Sequence, residues 1–331
     1  MRAFIFDKYK QPLHEAAVPE PTVGERDVLI SVAAASLNQL DEKIRAGEFK
    51  AILPYKLPMA LGHDVAGTVI RVGAKVRGFA AGDQVYARPR DHRIGTFAER
   101  IAVDESDVAL APSTISPVEA ASLPLVALTA WQALVERGNV KAGQKVLIHA
   151  GAGGVGTVAI QLAKHLGATV ATTASASNAD FVRELGADVV IDYRSQDFER
   201  ELSGYDFVLD SVGGVNLEKS LRVLAPGGIA IGIAGPPTPA FAKQAGLNPL
   251  LRLAIAGLSS KIRRQAAKAR VGYEFLWMRA SGEQLRQIAR LVDTGAIRPV
   301  VGATFPFDQT PQALESLGRG SIRGKAVITG A

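Results

Sequence analysis

Residues Gln144 to Leu166, QKVLIHAGAGGVGTVAIQLAKHL, constrain the fold more than any other stretch of this chain. Val146-Leu147-Ile148 is a short apolar run, as a central parallel strand covered on both faces requires. Gly151-Ala152-Gly153-Gly154-Val155-Gly156 follows and meets the G-x-G-x-x-G spacing. Val155, Ala159, Leu162 and Leu166 then recur at helical intervals, and Gly167 supplies a stop. Glycine makes up 33 of 331 residues, so the spacing alone says little and the context decides. Strand, glycine turn and helix in that order predict a dinucleotide site. The first glycine allows the tight turn and the second lets a pyrophosphate approach the backbone. The third lets helix and strand pack closely, and the anion meets the helix's positive end.

A chain of this length usually makes two domains. Apolar residues at 47% and charged residues at 21% fit a water-soluble globule. The absence of cysteine excludes disulfides, thiolate zinc sites and a cysteine nucleophile. MRAFIFDKYK lacks a signal peptide's apolar core and reads as a first strand. No stretch reaches the roughly 20 apolar residues of a membrane span, so a cytoplasmic protein without a membrane span is expected. The net charge of +6 is unevenly spread. Phe241 to Tyr273 holds seven basic residues and no acid, exceeding the charge of the whole chain. The basic balance is therefore local, and no nucleic-acid surface is expected from it. The stretch is either a solvated helix face or a surface for a membrane or another anionic partner.

Residues 1 to about 120 alternate short apolar runs with Gly, Pro and Asp turns: Ala3–Phe6, Val28–Ala34, Ala66–Val72, Gln84–Ala87 and Phe97–Val103. That pattern predicts a compact, mostly β domain over 1–120. Pro112 to Pro117 reads as a linker, and Val118 to Arg137 as helix interrupted at Pro124. From Lys145 strands and helices alternate to about residue 280, which predicts a doubly wound parallel sheet over 121–280. Residues 281–331 are expected to complete the first domain. The insertion from Pro236 to Ala269 has no assigned role. A homodimer through the edge strand near Tyr273–Met278 would pair otherwise bare backbone groups.

Nicotinamide-binding folds that take NAD usually place an acid at the end of the second strand, on the ribose 2′-hydroxyl. Here that strand is ATVATTASAS, and no acid lies between Gly156 and Asp180. Ser175, Tyr193 and Arg194 offer hydroxyls and a guanidinium to a 2′-phosphate instead. NADPH is therefore the expected cofactor.

The chain resembles the zinc-free branch of the medium-chain dehydrogenase/reductase superfamily, above all its quinone oxidoreductases and alkenal/enone oxidoreductases. The resemblance runs over nearly the whole length. It rests on Asn38 to Gly47 (NQLDEKIRAG), Leu61 to Gly67 (LGHDVAG), Gly82 to Tyr86 (GDQVY), Gly95 to Glu99 (GTFAE), Ala150 to Gly156, Leu185 to Asp188 (LGAD) and Arg323 to Val327 (RGKAV). It implies a GroES-like substrate domain beside a Rossmann domain, and hydride transfer from NADPH to a quinone or to the β-carbon of an activated C=C bond. It also implies Thr129 near the nicotinamide, and Ser175 and Tyr193 around the 2′-phosphate. A lysine often follows that serine closely; here Asn178 stands in its place, and Arg194 is expected to compensate. The zinc branch carries a cysteine at about the position of Asn38. This chain keeps His63 and lacks every thiolate, so no metal is expected, and His63 is expected to be structural or to line the substrate site.

Adding hydride to an enone leaves negative charge on the carbonyl oxygen. Lys43 brings a positive charge and Asn38 an amide donor, in a segment matching the branch's Asn-x-x-Asp-x-Lys pattern. The resemblance places that lysine at the substrate carbonyl. Asp41 is expected to hold the segment rather than to move protons. Tyr55 and Phe97 are the candidate aromatics for a flat substrate, with core packing as the other reading. Gly232 and Ile233, after an apolar strand, would let the nicotinamide approach the backbone. The expected function is zinc-independent, NADPH-dependent reduction of quinones or of the C=C bond of α,β-unsaturated aldehydes and ketones. The alternatives are reduction of an acrylate or acyl-CoA, and a non-catalytic protein that senses NADPH or binds nucleic acid.

Overall fold

The structure is a computed structural model that describes residues 1–320 and 322–330. The chain separates into two compact units, Met1–Leu128 with Arg279–Ala331, and Thr129–Met278.

The first unit opens with β1 (Arg2–Phe6), β2 (His14–Ala17) and β3 (Asp27–Ser36), followed by α1 (Gln39–Ala46) and β4 (Met59–Ala60). Strands β5 (Asp64–Val72), β6 (Gln84–Ala87), β7 (Arg100–Asp104) and β8 (Val108–Leu110) follow, then helices α2 (Pro117–Ala121) and α3 (Pro124–Trp131). The apolar runs read from the sequence lie on these strands, except that Phe97–Val103 becomes strand only at Arg100. Pro124 separates α2 from α3, as a missing backbone donor and a fixed φ require. The boundary between the units falls inside α3 rather than at residue 120. The reason is packing: α2 lies against β3 and β5 and so belongs to the first unit.

The second unit runs through β9 (Lys145–Ile148), α4 (Gly154–His165), β10 (Thr169–Ala174), α5 (Ala179–Glu184), β11 (Val189–Asp192), α6 (Phe198–Glu201) and β12 (Tyr205–Asp210). It continues with α7 (Gly214–Val223), β13 (Leu224–Gly232), α8 (Pro239–Gln244), α9 (Pro249–Leu258), α10 (Ser260–Ala269) and β14 (Gly272–Phe275). All six strands are parallel, in the order β11-β10-β9-β12-β13-β14. Counted from β9, this is the 3-2-1-4-5-6 order of the Rossmann fold, which reverses direction between β9 and β12. Val146, Leu147 and Ile148 in β9 and Phe207, Val208 and Leu209 in β12 are all buried, because helices cover both faces of the sheet. The edge strands are β11 and β14, and the insertion left unassigned by sequence is helical, forming α8, α9 and α10.

The tail returns to the first unit with α11 (Gly282–Asp293), β15 (Val301–Pro306), α12 (Thr310–Ser316) and β16 (Lys325–Thr329). There β16 pairs with β3, giving the order β15-β16-β3-β5-β6-β8, with β7 also on β3. The sequence-distant tail thereby completes the mostly β unit. Among the described residues, no helix is long and apolar enough to cross a membrane.

Candidate active site

In the second unit the glycine turn forms the corner between β9 and α4. Ala150 takes a left-handed φ of 53°, and its N–H donates to Thr173 Oγ1 at 3.1 Å. The Gly151 N–H donates to the Thr173 carbonyl at 3.0 Å, so the turn is tied to the neighbouring strand β10. A Cβ on Gly151 would come 2.2 Å from Thr172 Oγ1, and one on Gly156 only 2.3 Å from the Ala150 carbonyl oxygen. Both positions therefore require glycine, Gly156 because α4 sits directly on the turn. Gly153 caps α4 without any side-chain hydrogen bond to the first turn, which includes Gly154, Val155 and Gly156. The first N–H groups of a helix have no partner inside it, and the helix dipole is positive there. Together with the half-buried Ala152, these bare donors and the close backbone fit a nucleotide pyrophosphate.

The end of β10 carries Ser175, which is buried; its hydroxyl bonds Ser177 Oγ at 3.0 Å and accepts from Asn178 Nδ2 at 3.1 Å. Because β11 pairs with β10, Tyr193 follows directly beside it, its N–H donating to the Ala174 carbonyl. Tyr193 is exposed, and the Arg194 guanidinium lies 5.8 Å over its ring. One carboxylate does lie here, at the end of β11 rather than of β10. Asp192 accepts hydrogen bonds from Ser195 Oγ and the Arg194 N–H, which hold its pKa below the ordinary value. Gly232 closes β13 beneath the Tyr273 ring, and the Ile233 N–H donates to the Asp210 carbonyl at 2.9 Å. Thr129, the first residue of this unit, is buried within α3.

Sequence reading missed a buried polar chain at the reversal point of the sheet. His149 follows β9, with Nδ1 3.1 Å from Thr173 Oγ1 and Nε2 2.9 Å from Ser220 Oγ. Ser220 Oγ in turn donates to Asp210 Oδ2 at 3.2 Å, while Asp210 Oδ1 accepts the Val212 and Gly213 N–H groups. Burial depresses the His149 pKa to about 4, against the pull of Asp210, so the imidazole is neutral.

In the first unit, α1 is fixed at both ends. At its start, the Asn38 N–H donates to Asp41 Oδ2 at 2.8 Å; at its end, Gly47 takes a left-handed φ of 80°. Asp41 Oδ1 lies 2.6 Å from His63 Nδ1, and both side chains are fully buried. His63 Nε2 is buried and has no partner among the described residues. The Asn38 amide is committed internally: Nδ2 donates to Asp64 Oδ2 at 2.9 Å, and Oδ1 accepts from Lys325 Nζ. Lys325 Nζ also reaches the Leu37 carbonyl at 2.7 Å and Asp64 Oδ2 at 3.3 Å. Asp64 accepts from Ser36 Oγ and the Leu125 N–H as well. Asp64 and Lys325 were legible only as parts of family motifs, since nothing in the sequence pairs two residues so far apart.

Lys43 lies on the same short helix, half-buried, and its ammonium has no ion pair among the described residues. Tyr55 is half-buried, with its ring 5.3 Å from that of His92, and burial raises its phenol pKa above the ordinary value. Phe97 has no exposed surface and packs beside Gly62 in the core of the first unit. The structure thus joins Asn38, Asp41 and His63 in one buried cluster with Asp64 and Lys325. It gathers Gly151 to Gly156, Ser175, Tyr193 and Arg194 along the C-terminal edge of β9 to β11. No group of three His, Cys, Asp or Glu side chains that could hold a metal occurs among the described residues.

The second unit is thus a Rossmann unit with a bare helix N-terminus at its glycine corner, and the first is a β unit carrying a buried polar cluster. Residues 24–113 match the alcohol dehydrogenase GroES-like domain, and residues 185–328 the zinc-binding dehydrogenase family. The tomato 2-methylene-furan-3-one reductase is 36% identical over 324 residues, covering 95% of this chain and 74% of that protein. The chloroplastic NADPH-dependent alkenal/one oxidoreductase of Arabidopsis thaliana is 35% identical over 324 residues, covering 95% and 75%. The solved quinone oxidoreductase of Coxiella burnetii superposes with a TM-score of 0.86 at 32% identity, covering 100% of this chain and 99% of that one. The chain belongs to the medium-chain dehydrogenase/reductase superfamily.

Proposed function

We propose that this protein is a zinc-independent, NADPH-dependent reductase of α,β-unsaturated aldehydes and ketones at their C=C bond, or of quinones. The observation that carries this reading is Lys43, a half-buried cation without an ion pair among the described residues, on a helix fixed at both ends. Relatives with enone and quinone activity in their names support the same class.

The nicotinamide, when bound, supplies hydride chemistry, and the chain's residues provide binding and charge. The backbone from Gly151 to Gly156 and the start of α4 hold the pyrophosphate. Ser175, Tyr193 and Arg194 take the 2′-phosphate, with Arg194 opposing the charge of Asp192. Thr129, Gly232 and Ile233 bound the nicotinamide end. Lys43 stabilises the negative charge that develops on the substrate oxygen, where a positioned cation is worth most. Asn38, with its amide committed to Asp64 and Lys325, anchors the helix that presents Lys43. Asp41 fixes the same turn and orients His63. Solvent supplies the proton that completes the reduction.

The test is NADPH oxidation by purified protein against a panel of enones, quinones and acyl-CoA thioesters. Turnover of enones or quinones, with NADPH favoured over NADH, is the expected outcome. Turnover confined to acyl-CoA moves the activity to another activated alkene. Nucleotide binding without turnover of any panel member makes the protein a sensor.

A further inference from the structure

The insertion between β13 and β14 presents both apolar surface and positive charge to solvent. Helix α9 is well formed: Pro249 occupies its first turn, and the Asn248 side chain accepts the Leu251 N–H at 2.9 Å. Only Ile255 of this helix is buried. Leu250, Leu253 and Leu258 are 80%, 73% and 66% exposed. With the exposed Ala254 and Gly257 they occupy one arc at helical spacing. A helix that faced only water would carry polar residues there. A contiguous exposed apolar face of this kind marks an interaction surface.

Helix α10 continues from α9 at Ser259 and is anchored to the Rossmann core through Ile262 and Ala266. Arg263, Arg264 and Lys268 of α10, Arg270 just after it, Lys243 of α8 and Arg252 of α9 are all exposed, and none forms an ion pair among the described residues. No acid occurs anywhere from Phe241 to Tyr273. A second copy of this chain seated on the same face would bring two such stretches together without a counter-charge, which opposes self-association. An anionic bilayer satisfies both features. Leucines enter the boundary between headgroups and acyl chains while lysines and arginines meet the lipid charge.

We propose that α9 and α10 form a docking surface for an anionic lipid bilayer, holding the enzyme at the membrane face without spanning it. Docking through α9 and α10 is separate from the chemistry proposed for Lys43 and is read without turnover.

The full-length protein is sedimented with vesicles of phosphatidylcholine alone and of equimolar phosphatidylcholine and phosphatidylglycerol. The wild type should pellet with the anionic vesicles, stay in solution with the neutral ones, and be released by high salt. Leu250→Ser with Leu253→Ser should weaken binding by at least about tenfold, and Arg264→Glu with Lys268→Glu should do the same. All these positions are exposed, so both variants should keep the wild-type circular dichroism. A wild type that stays in solution with anionic vesicles overturns the proposal, as does a leucine variant that binds undiminished. A wild-type dimer that the leucine substitutions convert to monomer assigns the face to a second copy and overturns it equally.

Discussion

Lys325 Nζ lies 3.3 Å from Asp64 Oδ2 in the interior of the first unit, although 261 residues separate the two in sequence. Burial lowers the Lys325 pKa from its ordinary value, and Asp64 and Asp41 pull against that shift. Leaving one buried charge without its partner costs about 3–5 kcal/mol. Lys325→Met should therefore destabilise the protein by that amount in denaturant unfolding, and Asp64→Asn should approach it. The double variant should be more stable than the summed single effects imply, with a coupling of about 1–3 kcal/mol. Additive effects would show that the pair contributes nothing jointly.

That pair also marks the limit of what the sequence discloses. The strand, glycine turn and helix from Val146 to Leu166 are legible because their constraints are local: periodicity, a required spacing, and a stop at Gly167. The alternation from Lys145 onward likewise discloses the doubly wound sheet. Asp64 and Lys325 meet only because β16 lies beside β3, a pairing that no local pattern encodes. The same holds for His149, Ser220 and Asp210, which converge at the sheet's reversal point from three separate elements. Asn38 reads from sequence as a donor to substrate, yet its amide serves Asp64 and Lys325, since that assignment depends on which neighbours the fold brings in. Burial is equally non-local, which is why the sequence leaves Phe97 open between a cleft aromatic and a core residue, and only the fold shows it buried.

His149 gives stability a pH dependence. Its folded pKa is pushed by burial to about 4, below the ordinary 6.5. The unfolded chain takes up a proton as pH falls through 6.5, whereas the native state does so only near 4. The contribution of neutral His149 is thus fully present above pH 6.5 and is lost between 6.5 and 4, by up to roughly 3 kcal/mol. His149→Gln cannot take up that proton. The stability difference between wild type and variant should shrink across this window as the wild type loses its contribution. A difference that stays constant from pH 7 to 4 contradicts the assignment.

Asp192 and Arg194 should set the nucleotide preference against each other. Hydrogen bonds from Ser195 and the Arg194 backbone keep Asp192 ionised, beside the strand end that carries Ser175. Arg194→Ala should raise KM for NADPH about tenfold, the loss of one charge-assisted contact, while leaving KM for NADH little changed. Asp192→Asn removes the repelling charge and should shift the kcat/KM ratio further toward NADPH. An Asp192→Asn enzyme that turns toward NADH would show that the carboxylate supports the phosphate site rather than opposing it.

Lys43 separates a chemical from a structural role most cleanly, because it carries no ion pair among the described residues. Lys43→Ala should therefore leave the melting temperature close to wild type. It should nevertheless lower kcat/KM for an enone by about 10- to 1000-fold, the range for removing one group that stabilises a developing oxyanion. Lys43→Arg keeps the charge and should recover part of the loss. Asp41→Ala provides the contrast, since it removes the carboxylate that caps α1 and also the partner of the buried His63. That variant should lose stability by about 1–3 kcal/mol, the cost of leaving buried donors unsatisfied, and lose activity along with it. If Lys43→Ala instead retains full kcat/KM, the lysine is a surface charge. The oxyanion must then be met by another donor, and His63 Nε2, buried and without a partner among the described residues, is the first to be tested.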